Sequence, residues 1–335
     1  MKKLVLLATA LAMVSGSALA ADLRTKALKA PPPVAFDPWD IAFGSAIMND
    51  YVFRGVTQSN HKPSVTAYFE PRYNVTKDLQ LYVGSSFESI SFTNRAAAEV
   101  DIYGGIRPTF GAFAFDLGIW GYLYPGGQCI ESFGGPGGAA VCPPGASSVL
   151  PNFNGMKKDV SFYEGYAKVN YTINDMWQVG ANEYYSPNFL NSGAWGNYAS
   201  ITGKFIAPST IFGSSGVGMY ISGEFGRQWL GTSDSFYGTN GVPAPFVAFP
   251  NGIKYADYNT WNIGIGFTYK VFTLDLRYSD TNLSKGDCNA FTSDFTGSGT
   301  TNITSINPTG VGSNWCGATG IVKLSADLTA MTSLK

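Results

Sequence analysis

Phe272-Thr273-Leu274-Asp275-Leu276-Arg277-Tyr278-Ser279 is the stretch whose reading decides the fold. Its apolar residues occupy every second position, and its polar and charged residues fill the places between. Side chains of an extended strand point alternately to its two faces, whereas a helix would repeat its apolar positions every three to four residues. The octapeptide is therefore a strand with one greasy face and one face carrying Asp275 and Arg277. The preceding segment has the same form, with Trp261, Ile263, Ile265, Phe267 and Tyr269 set against Thr260, Asn262, Gly264, Gly266 and Thr268. Val65, Ala67, Phe69 and Tyr73 alternate with Thr66, Tyr68, Glu70 and Arg72. Val322, Leu324, Ala326 and Leu328 alternate with Lys323, Ser325, Asp327 and Thr329.

Carried along the chain, this period marks twelve segments, at 39–49, 63–74, 79–88, 99–108, 112–123, 160–171, 176–185, 195–206, 217–228, 257–269, 272–280 and 319–329. The connections sort by parity. Those after even segments are mostly short, whereas those after odd segments run over 50–62, 89–98, 124–159, 186–194, 229–256 and 281–318. An even number of strands with short turns at one end and long loops at the other is the pattern of an outer-membrane barrel. A secreted β-sandwich, binding glycans through its aromatics, has no reason to segregate its loops in this way. Tyr73, Tyr171, Trp177, Tyr269 and Phe272 fall at the short-turn ends, as an interfacial girdle requires. The expected fold is all-β: an antiparallel transmembrane barrel of about twelve strands spanning 38–335.

Composition agrees. Of 335 residues only 13% are charged, while 15% are aromatic and 40 are glycine. No apolar run approaches the ~20 residues that a membrane helix needs. Lys2 and Lys3, the apolar run from Leu4 to Val14 and the Ala18-Leu19-Ala20 site make residues 1–20 a secretory signal peptide. Its removal leaves a slight acidic excess, so nothing recommends a nucleic-acid partner. Residues 21–37, with Pro31-Pro32-Pro33, form an extended periplasmic tail in front of the first strand, or a plug or cell-wall contact. The partners expected are outer-membrane lipid, the barrel-assembly machinery and small hydrophilic solutes. The chain ends Thr332-Ser333-Leu334-Lys335, without the terminal aromatic residue common in such barrels.

The charges inside strands would line a lumen: Glu70, Arg72, Asp101, Arg107, Asp116, Glu164, Lys168, Asp275, Arg277, Lys323 and Asp327. Six are acidic and five basic. A mixed set gives weak ion selectivity in an open channel. It can equally pair and, with Tyr68, Tyr82, Tyr103 and Tyr166, fill a closed barrel of structural or surface role.

The segment Asn49-Asp50-Tyr51-Val52-Phe53-Arg54-Gly55-Val56-Thr57-Gln58-Ser59, followed by Lys62-Pro63, resembles the N-terminal signature of the TorF-like porin family. Asn49 and Thr57 depart from that pattern, both keeping a small polar side chain. The resemblance implies an outer-membrane barrel of porin function and carries over no catalytic residue. Arg54, beside Tyr51 and Phe53, is placed to stack or to pair with a lumen carboxylate, as a clasp at the barrel mouth or a solute contact.

Cys129 and Cys142 share one long loop, and Cys288 and Cys316 another. Three connectivities are possible, and proximity favours Cys129–Cys142 and Cys288–Cys316 in an oxidising compartment. Their spacing is not that of a zinc site, and no metal or cofactor is expected. His61 is the sole histidine, which leaves a Ser–His hydrolase no alternative base. The expectation is no enzyme, with His61 an exposed loop residue. Gly134-Gly135-Pro136-Gly137-Gly138 lacks the Lys and helix of a phosphate loop. Its long host loop is the one expected to fold inward and narrow the pore.

Overall fold

The computed structural model describes residues 38–131, 142–143, 147–240 and 244–333. The expected signal peptide, the tail and the glycine-rich run at 134–138 lie outside the described residues. Twelve strands form the barrel: β1 (Trp39–Met48), β2 (Ser64–Thr76), β3 (Leu79–Glu88), β4 (Glu99–Phe110), β5 (Phe113–Leu123) and β6 (Phe162–Thr172), then β7 (Trp177–Ser186), β8 (Gly196–Ile206), β9 (Val217–Leu230), β10 (Tyr258–Tyr269), β11 (Phe272–Thr281) and β12 (Thr319–Thr329). Each pairs antiparallel with the next, and β12 pairs with β1, from Ala42 opposite Thr329 to Met48 opposite Lys323, closing the sheet. Closure leaves the barrel wall no edge strand, so its backbone N–H and C=O groups can pair between strands even where no water reaches them. The final strand completes the ring without an aromatic residue at its end. A short helix, Ala330–Ser333, follows it.

The period read from the sequence becomes two surfaces. Ile47, Val65, Phe69, Val83, Ile102, Ile119, Ile201 and Ile263 are all more than half exposed on the outside. No helix among the described residues is long and apolar enough to cross a membrane. The apolar outer band of the closed sheet is what can span one, as in outer-membrane barrels. At the short-turn end, aromatics of neighbouring strands meet in T-shaped or tilted pairs: Trp39 with Tyr73 at 4.8 Å between ring centres, Phe113 with Tyr171 at 4.7 Å and Trp177 with Phe205 at 4.9 Å. This is the girdle that the strand ends foretell.

Inside, glycines and tyrosines are complementary. Gly84 lies opposite Tyr103, and a Cβ on it would meet that ring at 2.4 Å. Gly266 lies opposite Tyr220, with the corresponding distance 2.0 Å. A bare backbone on one strand makes room for a phenol laid across it from the next. A lumen narrow enough that rings lie along the wall thus accounts for part of the abundance of both residue types.

Candidate functional site

The family-like motif folds into a small hairpin. Val52–Phe53 pairs with Val56–Thr57, and Arg54 and Gly55 form its two-residue turn, both with positive φ (48° and 79°). That is the turn whose twist suits a tight hairpin. Gly55 is further required because a Cβ there would lie 2.2 Å from Thr281 Cγ2 and 2.5 Å from Thr260 Oγ1. Asp50, 1% exposed, staples the base: its Oδ1 accepts from Thr57 Oγ1 (2.5 Å) and Ser59 Oγ (3.1 Å). Ser59 Oγ also accepts from the Tyr51 amide (3.0 Å), and Gln58 Nε2 donates to the Val56 carbonyl (2.9 Å). The motif residues Asp50, Tyr51, Phe53, Arg54, Gly55, Gln58 and Ser59 therefore belong to one folded unit.

That unit enters the barrel mouth. Arg54 Nη1 and Nη2 donate to the two carboxylate oxygens of Glu164 on β6 (2.8 and 2.6 Å), and Nη1 also reaches Gln228 Oε1 on β9 (3.2 Å). The guanidinium lies over Phe53, Tyr184 and Tyr198 at 4.6, 4.7 and 4.5 Å from their ring centres. Burial opposes its charge, but Glu164 outweighs that, and Arg54 holds its proton more tightly than an ordinary arginine. Tyr51 Oη donates to Glu99 Oε1 on β4 (2.7 Å). Burial, then the charge of Glu99, push this phenol well above its usual value. With Gly55 against β10 and β11, the hairpin touches walls around most of the ring.

Above it, each long loop contributes to an apolar roof: Val56, Phe92, Met156, Phe189, Tyr255 and Trp315 are all buried there. Only about 50 Å³ of space remains among them. The first loop is thus an inward-folding element. Of the loop at 124–159, whose glycine-rich run lies outside the described residues, Met156 joins the roof, as does Val160 just beyond it.

Below the hairpin a charged cluster from β2 to β6 fills part of the lumen: Arg107 Nη1 and Nη2 donate to Glu70 (2.7 and 3.1 Å), Arg72 Nε donates to Glu70 (2.6 Å), and Arg107 Nε approaches Asp116 Oδ2 (3.3 Å). Asp116 and the phenols of Tyr82 and Tyr166 meet in one cluster, and Lys168 Nζ stands over the Tyr166 ring at 4.6 Å. Beside this cluster lies a polar cavity of about 390 Å³ that every barrel strand helps to line, with Lys204, Glu224, Asn262, Asp275, Arg277, Lys323 and Asp327 among its residues. Asp275 pairs with Arg277 (3.0 Å) and accepts from Tyr220 (2.8 Å), and Asp327 accepts from Tyr68 (3.0 Å). Asp101 accepts from Ser86 on the wall of β3 and β4 (3.0 Å). All eleven charges named from the strands face inward; many of them are paired to neighbours.

Sequence reading passed over Lys204 and Glu224, which the alternation within β8 and β9 could have placed inside. It also passed over Glu88 and Glu99, which the same period puts on the inner face with Ser86 and Asp101. His61 sits at the surface but is bound, Nδ1 2.7 Å from Asp50 Oδ2 and Nε2 3.1 Å from the Asn314 carbonyl. His61 is the exposed loop residue expected of it, and it also gives the buried Asp50 a partner on that side. Both disulfides favoured by proximity are formed, Cys129–Cys142 and Cys288–Cys316.

Residues 34–133 match the family described as "Bacterial protein of unknown function (Gcw_chp)". The matched span holds the hairpin and strands β1 to β5. The family that matches is thus not the TorF-like one by name. No curated protein matches the chain. Among solved structures the chain is similar to an outer membrane channel of Pseudomonas putida F1, at 10% identity and TM-score 0.41, covering 90% of this chain and 100% of that one. A loop-deletion form of OmpT, an outer membrane protein of Vibrio cholerae, is 11% identical with TM-score 0.35 over 87% and 100%. The NanC porin is 8% identical with TM-score 0.36 over 87% and 100%. The barrel architecture itself rests on the strand pairing described above.

Proposed function

We propose that the protein is a non-enzymatic outer-membrane channel for small hydrophilic solutes that rests closed, with the motif hairpin as its stopper. Export through residues 1–20 and insertion by the barrel-assembly machinery belong to the same reading, and the motif's resemblance to the TorF-like porins points the same way. One observation carries the closed resting state: Arg54 reaches Glu164 on β6 and Gln228 on β9 from a hairpin whose Gly55 touches β10 and β11. The polar cavity beneath it supports a solute path that the hairpin shuts off. The loop roof favours the second reading, a barrel closed for good that serves a structural or surface role.

Planar-bilayer recording separates the two. Folded wild-type protein is expected to show rare, brief openings, and Arg54→Ala to lengthen them several-fold. Steady large conductance from the wild type would overturn the closed resting state. Silence from wild type, from Arg54→Ala and from a form lacking residues 51–58, all heat-modifiable on gels, would leave the structural barrel.

A further inference from the structure

Glu88 closes β3, Glu99 opens β4 and Asp101 follows two residues later, so three carboxyl groups converge on one point of the inner wall. One oxygen from each lies within 4.8 Å of the other two. The residues are 9%, 2% and 3% exposed. Their recorded donors are neutral. Glu99 accepts from Tyr51 (2.7 Å) and Tyr124 (2.8 Å), Glu88 Oε1 from Thr66 (2.9 Å), and Asp101 Oδ2 from Ser86 (3.0 Å). Two oxygens remain: Glu88 Oε2 and Asp101 Oδ1 are buried without a hydrogen-bond partner.

A buried carboxylate left without a partner is costly, and three together repel one another besides. Lys323 acts on Glu88 through space, but one ammonium does not balance three carboxylates. Trp120 Nε1 is also buried and unpartnered, close to Asp101. Turning that indole onto Asp101 Oδ1 would satisfy one oxygen with a neutral donor. It would leave Glu88 Oε2 bare and the charge unchanged.

We infer that Glu88, Glu99 and Asp101 form a binding site for a hard divalent cation, of which Ca²⁺ fits best. Ca²⁺ takes six to eight oxygens at about 2.3–2.6 Å in adaptable geometry, so ligand oxygens on opposite sides of the ion stand roughly 5 Å apart. Three carboxylates and water from the adjoining cavity, which Glu88 and Asp101 line, supply such a shell. Mg²⁺ demands stricter octahedral geometry and sheds its water reluctantly, so it is the weaker occupant. Because Tyr51 donates to Glu99, the ion also braces the base of the inserted hairpin against β3 and β4.

The test uses full-length folded protein in lipid-free detergent, stripped with chelator and then titrated with Tb³⁺, whose emission Tyr51, Tyr124 and Trp120 are placed to sensitise. The expected result is one saturable Tb³⁺ per chain, displaced by Ca²⁺ at lower concentration than by Mg²⁺. Affinity should fall at least tenfold in Glu99→Gln/Asp101→Asn. The single variant Glu88→Gln, which leaves the tyrosine contacts of Glu99 intact, should also weaken binding and answers the question if the double variant does not fold. Ca²⁺ should raise the thermal midpoint of the wild type and not that of the variants. No saturable emission, or equal emission from wild type and Glu88→Gln, would overturn the site. So would a Glu88→Gln protein more stable than a wild type indifferent to Ca²⁺, which means that the carboxyls are kept neutral by protons. None of these readouts depends on conductance, so the site and the stopper stand or fall separately.

Discussion

At the scale of single residues the first loop is organised by Asp50, which serves Thr57, Ser59 and His61 at once. Its hydrogen bond to His61, set against partial burial of the ring, raises the imidazole pKa above the usual 6.5. A group with a raised folded-state pKa binds more protons in the native loop than in the opened one. Its stabilising effect is therefore complete below about pH 6.5 and is lost as the pH climbs through the folded value. The ring is 38% exposed, so water screens the pair and the effect is small, within the ~0.2–1 kcal/mol of exposed pairs. Hydrogen exchange at the amides of residues 57–62 should thus accelerate, beyond the intrinsic pH trend, as pH rises above 6.5. His61→Gln should abolish that extra dependence, and an unchanged profile in the variant would refute the assignment. None of this was visible in the sequence, where His61 and Asp50 are eleven residues apart and separated by a turn whose path only Arg54 and Gly55 hint at.

Among the elements, the strands were legible and the loops were not, for a physical reason. A strand between lipid and lumen is forced to alternate, so β11 or β10 reads directly from its residues. The loops pack on one another through contacts between distant segments, such as the Thr57 amide to the Trp315 carbonyl (2.9 Å) and Thr281 Oγ1 to the Cys316 carbonyl (2.7 Å). The last long loop carries the helix α1 (Lys285–Thr292), capped by Ser284 Oγ accepting from the Asp287 amide, and pinned by Cys288–Cys316 across 28 residues. Closing a loop of that length removes about 3.5 kcal/mol of chain entropy from the opened state. Cys288→Ser/Cys316→Ser should therefore admit protease within 282–318 and loosen the first loop that rests on Trp315, while the wall stays intact and heat-modifiable. Cleavage no faster than in the wild type would show that packing alone holds this loop. The eleven inward charges illustrate the boundary between the two cases: their facing followed from the period, whereas the insertion of Arg54 among them came from a loop.

For the whole molecule, scarce charge and abundant aromatics make sense only if the outer face meets lipid. A soluble barrel would tolerate a lysine at any exposed position with little loss, generally within ±0.5 kcal/mol. A membrane barrel would not, because Arg or Lys at the bilayer midplane costs roughly 2–4 kcal/mol, falling to near zero at the interfaces. Ile201, 64% exposed, lies at the middle of β8 with Ala181 and Phe225 on its flanking strands. Phe153, 43% exposed, lies in a long loop instead. Both are exposed by geometry, and in the membrane reading only Ile201 meets lipid. In urea unfolding from lipid vesicles, Ile201→Lys should lose roughly 2–4 kcal/mol, and Phe153→Lys should stay within about 0.5 kcal/mol of the wild type. Equal, small losses at both sites would mean that water bathes the whole exterior, and the membrane reading would fall with them. A loss confined to Ile201 locates the bilayer on the band that the alternation of Phe272 to Ser279 first marked out.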